Sequence, residues 1–206
     1  MRIKILLAIV LFAGRASSQL FPLRESFDTV AAPRLPSGWT TSSARSVGGD
    51  FTTAASVPQS PPNALLSTNA TVPQQVTSPA VPFTGRVADT IMFSERRSGT
   101  HTSDVVLESS IDGGRTFPHL LGDTLRNPGT TSYIVRRFRL PALLNDQRDV
   151  RFRWRVLGNG GGTTGTLRVD DIAVTARAQI DLSVAEIHVA PSIPAAGDTI
   201  VLGAVV

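Results

Sequence analysis

Carboxylates gather near the two ends of the best-patterned part of the chain. Glu25 and Asp28 stand in the run RESFD, Asp170 and Asp171 in RVDDIAV, and Asp50 follows Gly48-Gly49. If the first and last strands of the domain are neighbours, as in many antiparallel sandwiches, these acids converge. A hard cation such as Ca²⁺ takes about six to eight oxygen ligands, and clustered carboxylates supply them. On spacing alone, turn caps or arginine partners are the stronger reading.

Arginine is the second chemistry-bearing residue type. Arg151, Arg153 and Arg155 alternate with Val150, Phe152, Trp154 and Val156, the period-two pattern of a strand with one buried and one solvated face. With Arg136, Arg137 and Arg139 of the preceding strand, the stripe would form a basic sheet face suited to an acidic glycan. A solvated face that discourages edge pairing is the favoured reading. Ser110, Asp112, Gly114, Thr116 and Phe117 fit the Asp-box hairpin S-x-D-x-G-x-T-[WF]. There the aspartate accepts turn hydrogen bonds and the glycine takes a positive φ, so the box is read as structural.

Other chemistries fall away. Gly158 to Gly162 are followed by TLRVDDIAV, a strand pattern, whereas a phosphate loop needs a helix N-terminus behind it. His101, His119 and His188 lack zinc-ligand spacing. There is no G-x-S-x-G elbow and no cysteine nucleophile. Glycosidase carboxylates meet only in the fold, and no pair is singled out by spacing. Asn69-Ala-Thr71 is a glycosylation sequon by pattern.

The elements that must position these residues are strands. RVADTIMFSERR, DVVLESSI, YIVRRFRLP and RDVRFRWRVL read as strands of moderate length between Gly, Pro and Asn turns. Shorter edge strands alternate with loops in the Ser/Thr/Pro-rich stretch before them, and a short helix over Leu140 to Gln147 is weakly signalled. The pattern predicts an all-β, two-sheet antiparallel sandwich. Asp149 to Thr175 reads as a hairpin whose arms are joined by GNGGGTTG.

The 206 residues contain no cysteine. Arg2 and Lys4 precede the apolar run Ile5 to Gly14, with Ala16 and Ser18 at small-residue positions. Residues 1–18 read as a secretory signal peptide cleaved between Ser18 and Gln19. The run is too short for a bilayer core, which needs about 20 residues. Three of the 20 basic residues leave with this leader, so 17 face 16 acids, and a nucleic-acid partner is not expected. Residues 178–206 hold two further strand candidates and stop inside an apolar run, which reads as a fragment of a longer precursor.

The motifs ESFD, LPSGWT, Ser78-Pro79, SIDGGRTF, VRFRWRV and VDDIAV occur in this order. In that order they resemble MAM-like jelly rolls, above all the choice-of-anchor J domains and the cleaved-adhesin domains of secreted bacterial proteases. The tail DLSVAEIHVAPSIPAAGDTIVLGAVV resembles the opening of a CARDB module, an immunoglobulin-like domain. The resemblance implies a jelly roll over residues 19–177, with its first and last strands adjacent, then an incomplete second sandwich over 178–206. It also implies a structural Ca²⁺ held by Glu25 and Asp171, with Asp28 and Asp50 as further candidates. The disulfides of MAM domains have no counterpart here.

Together these readings predict a non-catalytic adhesion or binding module of a secreted or cell-surface bacterial protein. Its expected partner is an extracellular protein or polysaccharide, with no cofactor beyond calcium and no membrane span. A hydrolase whose catalytic domain lies outside this chain, or a structural spacer, stays open as the alternative. Oligomeric state has no sequence signal.

Overall fold

The computed structural model describes residues 19–43, 51–162, 164–179, 186–190 and 201–205. Among these residues, eleven strands build the main unit, which ends at Ala178: β1 Gln19–Glu25, β2 Thr40–Ser43, β3 Thr52–Ala54, β4 Ala64–Ser67, β5 Gln74–Thr77, β6 Arg86–Arg97, β7 Val105–Ser110, β8 His119–Leu120, β9 Ile134–Arg139, β10 Arg151–Val156 and β11 Leu167–Ala178. The only helical element among the described residues is the 3-10 turn Ala142–Leu144, within the weakly signalled helix. By itself, the tail pairs β12 Glu186–Ala190 with β13 Val201–Val205 in antiparallel register. No helix among the described residues is long and apolar enough to cross a membrane.

Two sheets form the sandwich. One runs β3-β4-β11-β6-β9, with β1 also on β11; the other runs β2-β5-β10-β7-β8. Only β3–β4 and β7–β8 join neighbours within a sheet, and every other connection from β1 to β11 crosses between sheets. Crossing connections of this kind make the jelly roll that the resemblance implies, all-β and antiparallel throughout.

The expected hairpin over Asp149 to Thr175 is not formed. β10 lies in the five-stranded sheet and β11 in the six-stranded one, so the glycine-rich stretch carries the chain from one layer to the other. Period-two alternation dictates which face of a strand is buried but says nothing about its partner. For the same reason the arginines do not form one face. Arg136, Arg137 and Arg139 lie on β9 and the 151–155 stripe on β10, in opposite sheets, and Arg136 turns inward to pair with buried Glu95.

The core lies where the alternating strands face each other. Phe152, Trp154 and Val156 from β10 and Val105 and Leu107 from β7 meet Ile91 and Phe93 of β6 and Val169 and Val174 of β11, all buried. An aromatic relay fills it, with centroids 5.2 Å apart for Phe27–Trp39, 5.9 Å for Trp39–Trp154 and 5.5 Å for Trp154–Phe93. Such tilted and edge contacts suit the ring quadrupoles.

Candidate functional site

The acidic corner is built by a partner switch on β11. Leu167 to Val169 pair with β4, while Ile172 to Arg177 pair with β1. Asp170 and Asp171 fall between, where the register with β6 also shifts. Asp171 takes φ +49°, a left-handed conformation that aspartate tolerates better than most residues. The bulge points one carboxylate each way: Asp170 is buried and Asp171 is exposed.

Asp170 accepts the amides of Gln59 (2.8 Å), Ser60 (3.0 Å) and Asp171 (2.8 Å). Burial pushes its pKa up to about 6 against the pull of those donors. Ser60 Oγ lies 2.7 Å from Asp171 Oδ1 and 3.5 Å from Asp28 Oδ2. Asp28 Oδ1 accepts the Asn63 amide at 3.0 Å. These acids thus supply acceptors for the loop between β3 and β4, which would otherwise carry unpaired amides.

Glu25 and Asp171 line one open cavity of ≈ 290 Å³ with Arg24, Ser26, Ile172 and Ala173. Glu25 Oε1 accepts the Phe27 amide (2.7 Å) and Oε2 the Trp39 indole N–H (3.3 Å). These oxygen donors fit a hard cation in kind. In number they fall short of a full shell: no group of three or more His, Cys, Asp or Glu side chains is gathered as a metal centre among the described residues. Main-chain carbonyls and water would have to supply the balance. Asp28 does not line this cavity, and Asp50 lies outside the described residues.

The second site is the outer face of the five-stranded sheet. Arg153 sits opposite Glu108 on β7 and Thr77 on β5; Arg155 sits opposite Gln75. Glu108 holds both arginines at once, Arg153 at 2.7 Å and Arg155 Nη2 at 2.5 Å. Burial opposes ionisation of Glu108, yet hydrogen bonds from Arg155 and Arg153 hold its carboxyl below the usual range. Arg151 pairs with Asp149 instead, at 3.1 Å. Gln75 Nε2 donates to Ser42 Oγ at 2.9 Å and extends the polar face to β2. Alternation in DVVLESSI already places Glu108 on one strand face; that this face is shared with the arginines requires the strand order.

The Asp box closes the β7–β8 hairpin beside this face. Asp112 accepts the Ser110 hydroxyl (2.6 Å), the Arg115 and Thr116 amides (both 3.0 Å) and the Thr116 hydroxyl (2.6 Å). The two hydroxyls lead in holding its carboxyl well below the usual range. Gly114 takes φ +87°. Phe117 lies under the Arg153 guanidinium, 4.0 Å from it, a cation–π contact that ties the box to β10.

No family profile matches the chain, and no curated protein matches it. Solved structures do. The K3 cleaved adhesin domain of Lys-gingipain from Porphyromonas gingivalis is 15% identical with a TM-score of 0.60, over 77% of this chain and 99% of that one. The fold is that of a jelly roll. The CBM22-1 xylan-binding domain of Xyn10C from Paenibacillus barcinonensis is 12% identical, TM-score 0.54, over 81% and 100%. The family 11 carbohydrate-binding module from Clostridium thermocellum, solved with a mixed-linked tetrasaccharide, is 13% identical, TM-score 0.50, over 78% and 96%. At such identities the likeness concerns architecture alone.

Among the described residues, the tryptophans and the tyrosine offer a sugar little ring surface. Trp154 and Trp39 are core residues, and Tyr133 is half-buried with its hydroxyl on the Val57 carbonyl at 2.9 Å. Recognition on the five-stranded face would therefore rest on guanidinium, amide and hydroxyl groups.

Proposed function

We propose that this chain is a non-catalytic binding module of an exported bacterial protein. The outer face of its five-stranded sheet takes a polysaccharide. The observation that carries the reading is the fixing of Arg153 and Arg155 by one carboxylate. Arginine has five N–H donors, and Glu108 takes two from Arg155 and engages Nε and Nη2 of Arg153. The remaining donors are held in place beside Gln75 and Thr77, so little side-chain freedom is lost when a hydroxyl-rich chain binds. Likeness to adhesin and carbohydrate-binding jelly rolls supports a binding role over a catalytic one.

A glycosidase on this face is disfavoured by Glu108 itself. A general acid needs a raised pKa, and the two arginines act in the opposite direction. The reading also includes a structural Ca²⁺ at Glu25 and Asp171, which would brace the junction of β1 with β11 and leave the ligand face untouched.

Native-gel affinity electrophoresis against neutral xylan and mixed-linkage glucan tests the binding role. The expected result is retardation of the wild type by at least one polymer, lost in R153A/R155A assayed well below its own melting temperature, which should fall because buried Glu108 loses both partners. Blank results across a polysaccharide panel, or retardation indifferent to R153A/R155A, would overturn it.

A further inference from the structure

The opposite sheet carries a second charged surface that the binding role above does not use. On its outer face Arg137 and Arg139 of β9, Thr90 and Asp89 of β6 and Arg177 of β11 line an open groove of ≈ 550 Å³. Both β9 arginines are exposed, and no ion-pair or side-chain hydrogen-bond partner is found for either among the described residues. Arg139 stands opposite Thr90 in the ladder, and Thr90 opposite Thr175 of β11. The groove thus crosses three strands.

Its geometry depends on a bulge. The register between β6 and β11 shifts where Asp89 is extra, between the pairs Thr175–Thr90 and Ala176–Ala88. The displaced Asp89 carboxylate accepts the Thr175 hydroxyl at 3.1 Å and lies 3.7 Å from Arg177 Nη2. Three guanidiniums against one carboxylate leave a local excess of positive charge, on a chain whose predicted mature form is nearly neutral overall.

Guarding an exposed edge against strand pairing would explain charge on β9. It does not explain Arg177, which lies on the central strand β11, or the bulge that turns Asp89 toward it. We infer that this groove binds an anionic polysaccharide through its carboxylate or sulfate groups. The planar guanidinium fork matches such groups in two-point contact. Arg137 and Arg139 are two residues apart on one strand, about 6.6 Å, so a repeating anionic chain can engage both. Among the described residues no aromatic side chain lines the groove, so the stacking on which single-stranded nucleic acids rely is missing there. An added peptide strand would sit on the sheet edge, not on this face.

Affinity electrophoresis of the full chain at low ionic strength tests the site, with polygalacturonate, dextran sulfate, polyphosphate and neutral xylan gels. Polygalacturonate or dextran sulfate should retard the wild type, and the arm that does so identifies carboxylate or sulfate as the group read. R137A/R139A and, from the other wall, Arg177→Ala should each weaken binding about tenfold or more, while R153A/R155A should not. The inference is overturned if neither acidic polymer retards the protein or if both groove variants bind as the wild type does. It is equally overturned if R153A/R155A alone removes the retardation, or if polyphosphate retards the protein as strongly. Because xylan reports on the other sheet, the two sites fail or stand separately.

Discussion

His101 is buried, and burial followed by the nearby charge of Arg97 lowers its pKa to about 4. In the unfolded chain a histidine titrates near 6.5. Between these values the unfolded state binds the proton and the native state does not, so stability falls as pH falls from about 6.5 to about 4. Urea unfolding should therefore show the wild type losing about 2–3 kcal/mol more than His101→Leu between pH 7.5 and pH 4.5. A parallel pH profile for the two proteins would refute this. Asp171 carries the second residue-scale prediction. If it holds Ca²⁺ with Glu25, calcium at 100 times its Kd should add about 2.7 kcal/mol of stability, seen as a rise in Tm that chelator reverses. Asp171→Ala should abolish that rise; a rise that survives the substitution would place calcium elsewhere.

At the scale of elements, the crossing from β10 to β11 depends on Gly158. It takes φ +81°, and a Cβ there would lie 2.9 Å from Pro73 Cδ and 3.0 Å from the Val72 carbonyl carbon. Gly158→Ala should cost about 1–3 kcal/mol by equilibrium unfolding, because backbone and a proline ring yield poorly. A neutral result would mean that the crossing can move. Strands were largely legible from alternation: RVADTIMFSERR is β6 from end to end, and the inward set of β10 is the one that its pattern names. Pairing was not. Strands adjacent in sequence are usually neighbours in a sheet, and that default fails here at eight of the ten connections from β1 to β11.

At the scale of the molecule, one core joins the two layers through Phe27, Trp39, Trp154 and Phe93. Trp154 is fully buried between them, so Trp154→Ala should destabilise by about 3–5 kcal/mol. Stability of this kind comes from distant parts of the chain meeting, as when Glu25 of the first strand pairs beside Ile172 of β11.

Composition and periodicity determined the β class, the inward face of β10 and the local Asp-box turn, while the adjacency of the first and last strands was implied by the resemblance of the ordered motifs. The first three depend on neighbours a few residues apart or on the absence of helical spacing. Tertiary structure decided which arginines share a surface. It turned Arg136 to Glu95, gave Arg153 and Arg155 to Glu108, and left Arg137 and Arg139 facing Arg177 across the other sheet. The physical reason is that a strand's side-chain period specifies a face only. Its partner, and hence the company of every outward charge, is set by how two sheets close over a common core.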